Sequence, residues 1–293
     1  MPSSCNRRDF LVRSGAAVAA ASLLGQSAQS GELTGKVKKA LGIGMVGEGA
    51  TVLEKFKLIK DLGFDGVELN SPGIGNKEDI KKAIDETGLG VSEIMDSVHW
   101  RDTLSHPDEA VRAKGVAGLK TAIADAKFVG ATAVLLVPGV VNKDVTKEDA
   151  WKRSIKEIKT VVPFAEENGV YIGIENVWNN FLMDPADMAK YVDEIGSKWV
   201  GAFFDIGNHV KYGKSEDWVR TLGKRILRLH VKEFSKEKNF GVKIGDGDVN
   251  WPEVVKALKE VGYTGWATAE VSGGKKDALK DIADRMNKVL SLT

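Results

Sequence analysis

A chain of 293 residues that is 43% hydrophobic and 28% charged can bury a sizeable core, which excludes disordered, collagen-like and coiled-coil classes. Its 42 basic and 41 acidic side chains leave a net charge of +1, so no global field recruits a polyanion and nucleic acid is not expected as a partner. The one cysteine, Cys5, rules out a disulfide framework and a CxxC-type zinc site.

The chain opens on Asn6-Arg7-Arg8-Asp9-Phe10-Leu11, followed by a small apolar run over 14–25 and then Gln26-Ser27-Ala28-Gln29-Ser30. A charged segment, a short apolar segment and a small-residue processing region are the parts of an export signal. Paired arginines followed by Asp-Phe-Leu resemble a twin-arginine signal in particular. Residues 1–30 are therefore expected to be a removable signal and 31–293 the folded domain. The twin-arginine export machinery is the implied partner, and the expected location is periplasmic or secreted. Loss of Arg7, Arg8, Arg13 and Asp9 with the signal shifts the net charge from +1 to −1, and loss of Cys5 leaves no thiol, which suits an oxidising compartment. No run reaches the roughly 20 apolar residues that a bilayer span requires, so no stable membrane anchor is expected.

From Ala40 onward, short apolar runs alternate with charged segments of helical period. In chain order, strands are expected over 41–46, 66–70, 91–98, 133–137, 170–175, 200–205, 226–232 and 266–271. Helices are expected over 51–62, 77–87, 107–128, 147–168, 185–195, 216–222, 251–261 and 275–292. Gly63, Gly88, Gly169 and Gly262 follow helices where C-caps belong. Eight strand–helix units without a linker match a single-domain α/β fold, the (β/α)8 TIM barrel. An open doubly wound sheet is the alternative, but no Gly-x-Gly-x-x-Gly follows the first strand.

In such a barrel the reactive groups close the strands at their C-terminal ends. Glu175, Asp205, His230 and Glu270 do so on the last four, at intervals of 30, 25 and 40 residues. Three carboxylates brought together repel and raise one another's pKa values unless a cation compensates them. One imidazole with three carboxylates suits Mn²⁺, Mg²⁺ or Co²⁺ with open positions. A cation on a sugar carbonyl and its neighbouring hydroxyl spreads carbanion charge as an enediolate. Glu175 and Glu270, arriving from different strands, are the expected acid/base pair as well as ligands.

Other candidates for contacting substrate surround this set. Period-2 alternation puts Arg228, His230 and Lys232 on one side of the seventh strand, with Lys232 above the ion. His209 follows Asp205, where it could bond a hydroxyl or the carboxylates. His99 and Trp100 end the third strand; His99 is expected at the substrate, whereas core packing is the favoured reading for Trp100. Trp178 and Asn179 share the loop after Glu175, the tryptophan as an aromatic wall. Asp246 and Asp248 are expected to cap the helix at Trp251 or to hold a turn.

The segments Ile174-Glu175-Asn176-Val177-Trp178-Asn179, Phe204-Asp205-Ile206-Gly207-Asn208-His209, Leu229-His230-Val231-Lys232-Glu233 and Ala269-Glu270-Val271 resemble the metal-site segments of the xylose-isomerase-like sugar (phosphate) isomerase/epimerase superfamily. So does Ile244-Gly245-Asp246-Gly247-Asp248-Val249-Asn250-Trp251-Pro252, read through to Trp266. The resemblance covers nearly all of the expected domain and is strongest to ketose 3-epimerases and ketose-phosphate 3-epimerases. It implies a Mn²⁺-like ion held by Glu175, Asp205, His230 and Glu270, a sugar substrate, and Glu68 with Asn70 as further candidates at the end of the second strand. The chain departs from the free-ketose pattern at Phe181, where a second glutamate usually stands six residues after the first metal glutamate.

The expected activity is movement of a proton next to a sugar carbonyl. Return to the opposite face gives an epimerase, return to the adjacent carbon an aldose–ketose isomerase, and loss of a leaving group an eliminase of 3-keto glycosides. A non-catalytic periplasmic sugar-binding protein is the alternative of another class. The superfamily's zinc endonucleases need more imidazoles than His99, His106, His209 and His230 supply. The sugar, the metal in use and homo-oligomerisation are left open.

Overall fold

The computed structural model describes residues 31–292, so the arginine-led segment and its expected cleavage region lie outside the described residues. Eight parallel strands close into a barrel in chain order: β1 (Val37–Gly42), β2 (Gly66–Ser71), β3 (Gly90–Asp96), β4 (Ala133–Leu136), β5 (Tyr171–Glu175), β6 (Val200–Asp205), β7 (Ile226–Val231) and β8 (Gly265–Ala269), with β8 pairing back onto β1. The connecting helices are α1 (Val52–Asp61), α2 (Lys77–Thr87), α3 (Glu109–Val129), α4 (Lys147–Asn168), α5 (Pro185–Ile195), α6 (Ser215–Leu222), α7 (Trp251–Glu260) and α8 (Lys276–Val289). This is the expected single-domain (β/α)8 barrel. No helix among the described residues is long and apolar enough to cross a membrane.

Local chemistry sets the helix boundaries. Thr51 and Glu54 form a reciprocal capping box at the start of α1, while Asn76, Asp108, Thr146, Asp184 and Asn250 accept backbone N–H groups at five further helix starts. At the other ends, Gly88 and Gly169 take the left-handed conformation that a Cβ disfavours.

Several expected boundaries move. β1 begins four residues earlier than its apolar run, because Lys38 and Lys39 are strand residues. Lys39 is buried, its N–H donates to the Asp65 carboxylate at 2.8 Å, and its ammonium lies 5.5 Å from the Phe64 ring. Residues 43–45, expected as strand, form a 3₁₀ turn. β3 stops at Asp96, whose Oδ1 accepts the Val98 N–H and turns the chain. α3 starts at Glu109 rather than 107 because Asp108 is its N-cap; His106 instead accepts the Asp108 N–H through Nδ1. Asn250, not Asp246 or Asp248, caps α7. Asp246 pairs with Arg285 and Asp248 accepts the Lys236 N–H.

Apolar residues fill the space between strands and helices, and the barrel interior is polar and layered. Its lower layer joins Arg228, Glu93 and Thr268: the Thr268 hydroxyl donates to Glu93 at 2.6 Å, and Arg228 Nε lies 3.8 Å from the same carboxylate. Gly66 leaves room at this end for the Trp266 ring, which a Cβ would meet at 2.6 Å. Alternation along β7 then raises His230 one layer above Arg228 and Lys232 one layer above His230.

Candidate metal centre

Glu175, Asp205, His230 and Glu270 come together at the C-terminal mouth, each offering a ligand atom within 4.8 Å of the others. Three are buried and Glu270 is half-exposed. His230 Nδ1 lies 2.9 Å from Glu175 Oε1 and 3.1 Å from Glu270 Oε2, while its Nε2 donates to Glu68 Oε2 at 3.0 Å. Phe203 packs its ring edge against the imidazole at 4.5 Å between centroids. Asp205 Oδ1 accepts the backbone N–H groups of Gly207 and Asn208 at 2.8 and 2.9 Å.

The remaining carboxylate oxygens show what the set can hold. Asp205 Oδ2 and Glu270 Oε2 are buried and receive no well-directed hydrogen bond, although the Lys232 ammonium lies 3.1 and 2.7 Å away. Two unsatisfied carboxylate oxygens facing one imidazole nitrogen fit a divalent cation. Glu175, Asp205, His230 and Glu270 are the residues that would hold it. Glu68 on the far nitrogen of His230 fixes the ring orientation and tautomer that a ligand histidine needs.

The electrostatics follow from burial and crowding. Burial pushes the Glu175 carboxyl up to about 7 against the pull of His230, and raises Asp205 to about 6 against the pull of Lys232. Burial alone would lower His230, but Glu270, Glu175 and Glu68 outweigh it and hold the imidazole raised. Burial opposes ionisation of Glu270 as well, yet His230 and Lys232 keep it below the usual carboxylate range. Lys232 is held raised against burial by Asp205 and Glu270. Its side chain and that of His230 thus supply the positive charge that three carboxylates require.

A cavity of about 460 Å³ opens above this set, lined by Glu68, Asn70, Met95, Lys232, Phe240 and Glu270 among others. A larger groove of about 800 Å³ runs outside the barrel between α7, α8 and the segment before α7, and shares no residue with the ligand set.

The other candidates divide. Lys232 and Glu68 reach the centre. His99 is buried beside it, accepts the Val137 N–H through Nδ1 at 3.3 Å, and is pushed by burial down to about 4; its proton is thereby assigned to Nε2. Trp100, favoured for the core, is 53% exposed. Trp178 stands at the mouth with its N–H donated to the Asn208 carbonyl. Asn179 is buried and spends its side chain on the loop, donating to Gly139 O at 2.6 Å and accepting the Phe181 N–H at 3.1 Å. His209 turns toward the helix layer, 4.6 Å from the Trp218 ring, with Nδ1 2.9 Å from the Asn176 amide and burial pushing it down to about 4. It is not among the cavity-lining residues.

Three residues outside the candidate set position the centre. Asn176 accepts the Asp205 N–H and donates to the Asp205 carbonyl, stapling the ends of β5 and β6. Asn208 donates to the Asn176 carbonyl and accepts from Lys232 at 3.1 Å. Glu233, fully buried, gathers N–H donors from Phe234, Gly245, Val249 and the Trp251 ring, and so shapes the loop after β7. Asn176 directly follows the ligand Glu175 in sequence, whereas Asn208 and Glu233 each stand three residues after theirs.

Comparison with known proteins gives the same frame. The profile of the xylose isomerase-like TIM barrel family matches residues 56–289. An uncharacterised protein, MJ1311 of Methanocaldococcus jannaschii, is 30% identical over 188 residues, 59% of this chain and 61% of that protein, so the match falls short of two thirds of its length. L-ribulose-5-phosphate 3-epimerase UlaE of Escherichia coli is 26% identical over 225 residues, 73% of this chain and 79% of UlaE. Among solved structures, the 3-keto-D-glucoside 4-epimerase YcjR of E. coli superposes with a TM-score of 0.74 at 18% identity, covering 87% of this chain and 99% of YcjR, a likeness of fold.

Proposed function

This chain belongs to the xylose isomerase-like TIM barrel family, and from that footing we propose that it is a divalent-metal-dependent sugar epimerase that moves a proton on the carbon next to a carbonyl. The observation that carries the reading is the meeting of four ligand atoms from the ends of β5 to β8, where the inward oxygens of Asp205 and Glu270 meet the Lys232 ammonium but no main-chain donor. UlaE and YcjR, both named as epimerases of a sugar, support the substrate class.

When bound, a Mn²⁺-like cation, as the family resemblance implies, with Mg²⁺ or Co²⁺ as substitutes, would stabilise negative charge developing on the substrate oxygens. Glu175 and Glu270 approach from separate strands. One removes the proton and the other returns it on the opposite face, which inverts the carbon. His230 stays oriented by Glu68 throughout. Lys232 donates to oxygens above the ligand set, and His99 presents a neutral N–H from the β3 side. Phe181, at the position where free-ketose enzymes carry a second glutamate, is buried against Trp151 and Tyr191 and takes no part.

Incubation with Mn²⁺ and a panel of ketoses and 3-keto sugars in D₂O tests the proposal. Deuterium should enter at the carbon next to the carbonyl, depend on metal and vanish in Glu270→Gln. Exchange no faster than buffer across the panel would instead identify a sugar-binding protein. We further propose export by the twin-arginine route. Replacing Arg7 and Arg8 by Lys should retain the protein in the cytoplasm, and unchanged fractionation would exclude that route.

A further inference from the structure

Four aromatic rings gather at one side of the barrel mouth. Trp178 follows β5, Tyr212 follows β6, and Phe234 and Phe240 follow β7. The Trp178 ring lies 5.8 Å from Tyr212, 5.8 Å from Phe234 and 4.8 Å from Phe240, with Phe234 and Phe240 5.6 Å apart. Only Phe234 is buried; Trp178, Tyr212 and Phe240 are 38%, 53% and 37% exposed.

This cluster is held in place and joined to the reacting site. The Trp178 N–H is anchored on the Asn208 carbonyl, in the residue whose side chain accepts from Lys232. Phe240 lines the cavity beside Glu270 and Lys232, with the Lys232 ammonium 5.2 Å from its ring. A fixed group of exposed rings leaves apolar surface in water that a flat apolar partner can cover. The position of the rings points away from a phosphate. The cavity lining includes no arginine, its one lysine is engaged by Asp205, Glu270 and Asn208, and Glu68 and Glu270 stand beside it. Lys211 lies over the Trp178 and Tyr212 rings at 5.0 and 5.5 Å rather than over the cavity.

We propose that Trp178, Tyr212 and Phe240 form a subsite for a second ring carried by the substrate, so that the sugar processed at the metal centre is a glycoside, with an aryl or sugar ring stacked on the rim, rather than a sugar phosphate. The inference rests on the epimerase reading and specifies its substrate class. Stacking of a ring on such a platform is worth about 0.5–1.5 kcal/mol per aromatic pair beyond area burial, or roughly two- to tenfold in affinity for each.

The test measures equilibrium binding and D₂O exchange for methyl, phenyl and glucosyl 3-keto-β-D-glucosides with the Mn²⁺-loaded protein. The phenyl or glucosyl compound should bind at least tenfold more tightly than the methyl compound. In Tyr212→Ala and in Trp178→Phe/Tyr212→Ala that ratio should fall toward one, with the melting temperature confirming that each variant is folded. A preference among the two ring-bearing probes identifies the second ring as aryl or sugar. Equal binding of all three by the wild type, binding of none, or a ratio unchanged in the variants overturns the subsite. Exchange without a ring preference defeats the subsite and leaves the epimerase standing; a ring preference without exchange does the reverse.

Discussion

Asp205 and Glu233 are two fully buried carboxylates that close neighbouring strands, and they are satisfied in opposite ways. Glu233 holds four N–H donors, three from the main chain and one from Trp251, at 2.8 to 3.1 Å. Asp205 holds two main-chain donors on Oδ1, while its Oδ2 meets only the Lys232 ammonium, 3.1 Å away. A saturated carboxylate has no capacity left for an ion and acts by tying a loop. One whose inward oxygen meets only a side-chain ammonium keeps lone pairs that an ion can take. Counting donors on each oxygen thus separates a loop organiser from a ligand, where burial and charge make the two look alike.

The largest difference between the two carboxylates is expected in proton transfer. Replacing Glu270 by Gln keeps its shape and removes the charge, and α-proton exchange should fall by about 10²- to 10⁴-fold. Glu233→Gln, equally buried, should retain the wild-type exchange rate per folded, metal-loaded molecule. Similar losses in both variants would mean that the two carboxylates share one job.

Stability should divide the pair the other way. Glu233→Ala strands four donors, each of which costs about 1–3 kcal/mol when buried without a partner, so unfolding in urea should shift by about 3 kcal/mol or more. Asp205→Asn in metal-free protein keeps the two main-chain hydrogen bonds on Oδ1 and takes from Lys232 one of its two carboxylate partners, so it should cost less than Glu233→Ala. With Mn²⁺ at a hundredfold excess over its Kd the wild type should gain about 2.7 kcal/mol, and Asp205→Asn should lose that gain. A smaller effect belongs to Glu68, which touches His230 and not the ion's position. Glu68→Gln should weaken Mn²⁺ binding by about 10- to 100-fold, read directly by calorimetry.

The barrel and its four ligands were legible because both are written in periodicity: apolar runs of strand length, each closed by an acid or His230. What escaped was what periodicity does not carry. Lys38 and Lys39 hid the start of β1, since nothing in the sequence says that Asp65 and the Phe64 ring will receive Lys39. Asn176 and Asn208 act through main-chain atoms of other strands, and three of the four donors of Glu233 come from residues 12 to 18 positions away, in the loop before α7 and at its first residue. His209 stands four residues from Asp205, yet the turn between them sends it to the helix layer against Trp218. Closeness in sequence was a poor guide at that point, because a strand end reverses which side of the sheet a residue faces.

The smallest effect, and the one that probes the whole mouth at once, is the pH dependence of stability. Burial raises Glu175 to about 7 and Asp205 to about 6, so the folded protein binds protons there that the unfolded chain has released. For a carboxyl raised in this way, stability falls as pH climbs from its ordinary value through the raised one. His230, raised by its three carboxylate neighbours, gives stability that is complete below its ordinary value and is lost as pH rises further. Glu270 is lowered, so its contribution is already constant above pH 5. His99 and His209, pushed by burial down to about 4, act with the opposite sign and add stability as pH rises through their ordinary value. The raised carboxyl is therefore read as a difference: between pH 5 and pH 8 metal-free wild type should lose about 1 kcal/mol or more relative to metal-free Glu175→Gln. Ligands must shed their protons to bind a cation, so Mn²⁺ affinity rises over the same interval. Added Mn²⁺ should flatten or reverse the slope in the wild type and leave it unaltered in Asp205→Asn. Urea unfolding at each pH, with and without metal, measures all four curves. Equal slopes in metal-free wild type and Glu175→Gln would contradict the proton assigned to Glu175.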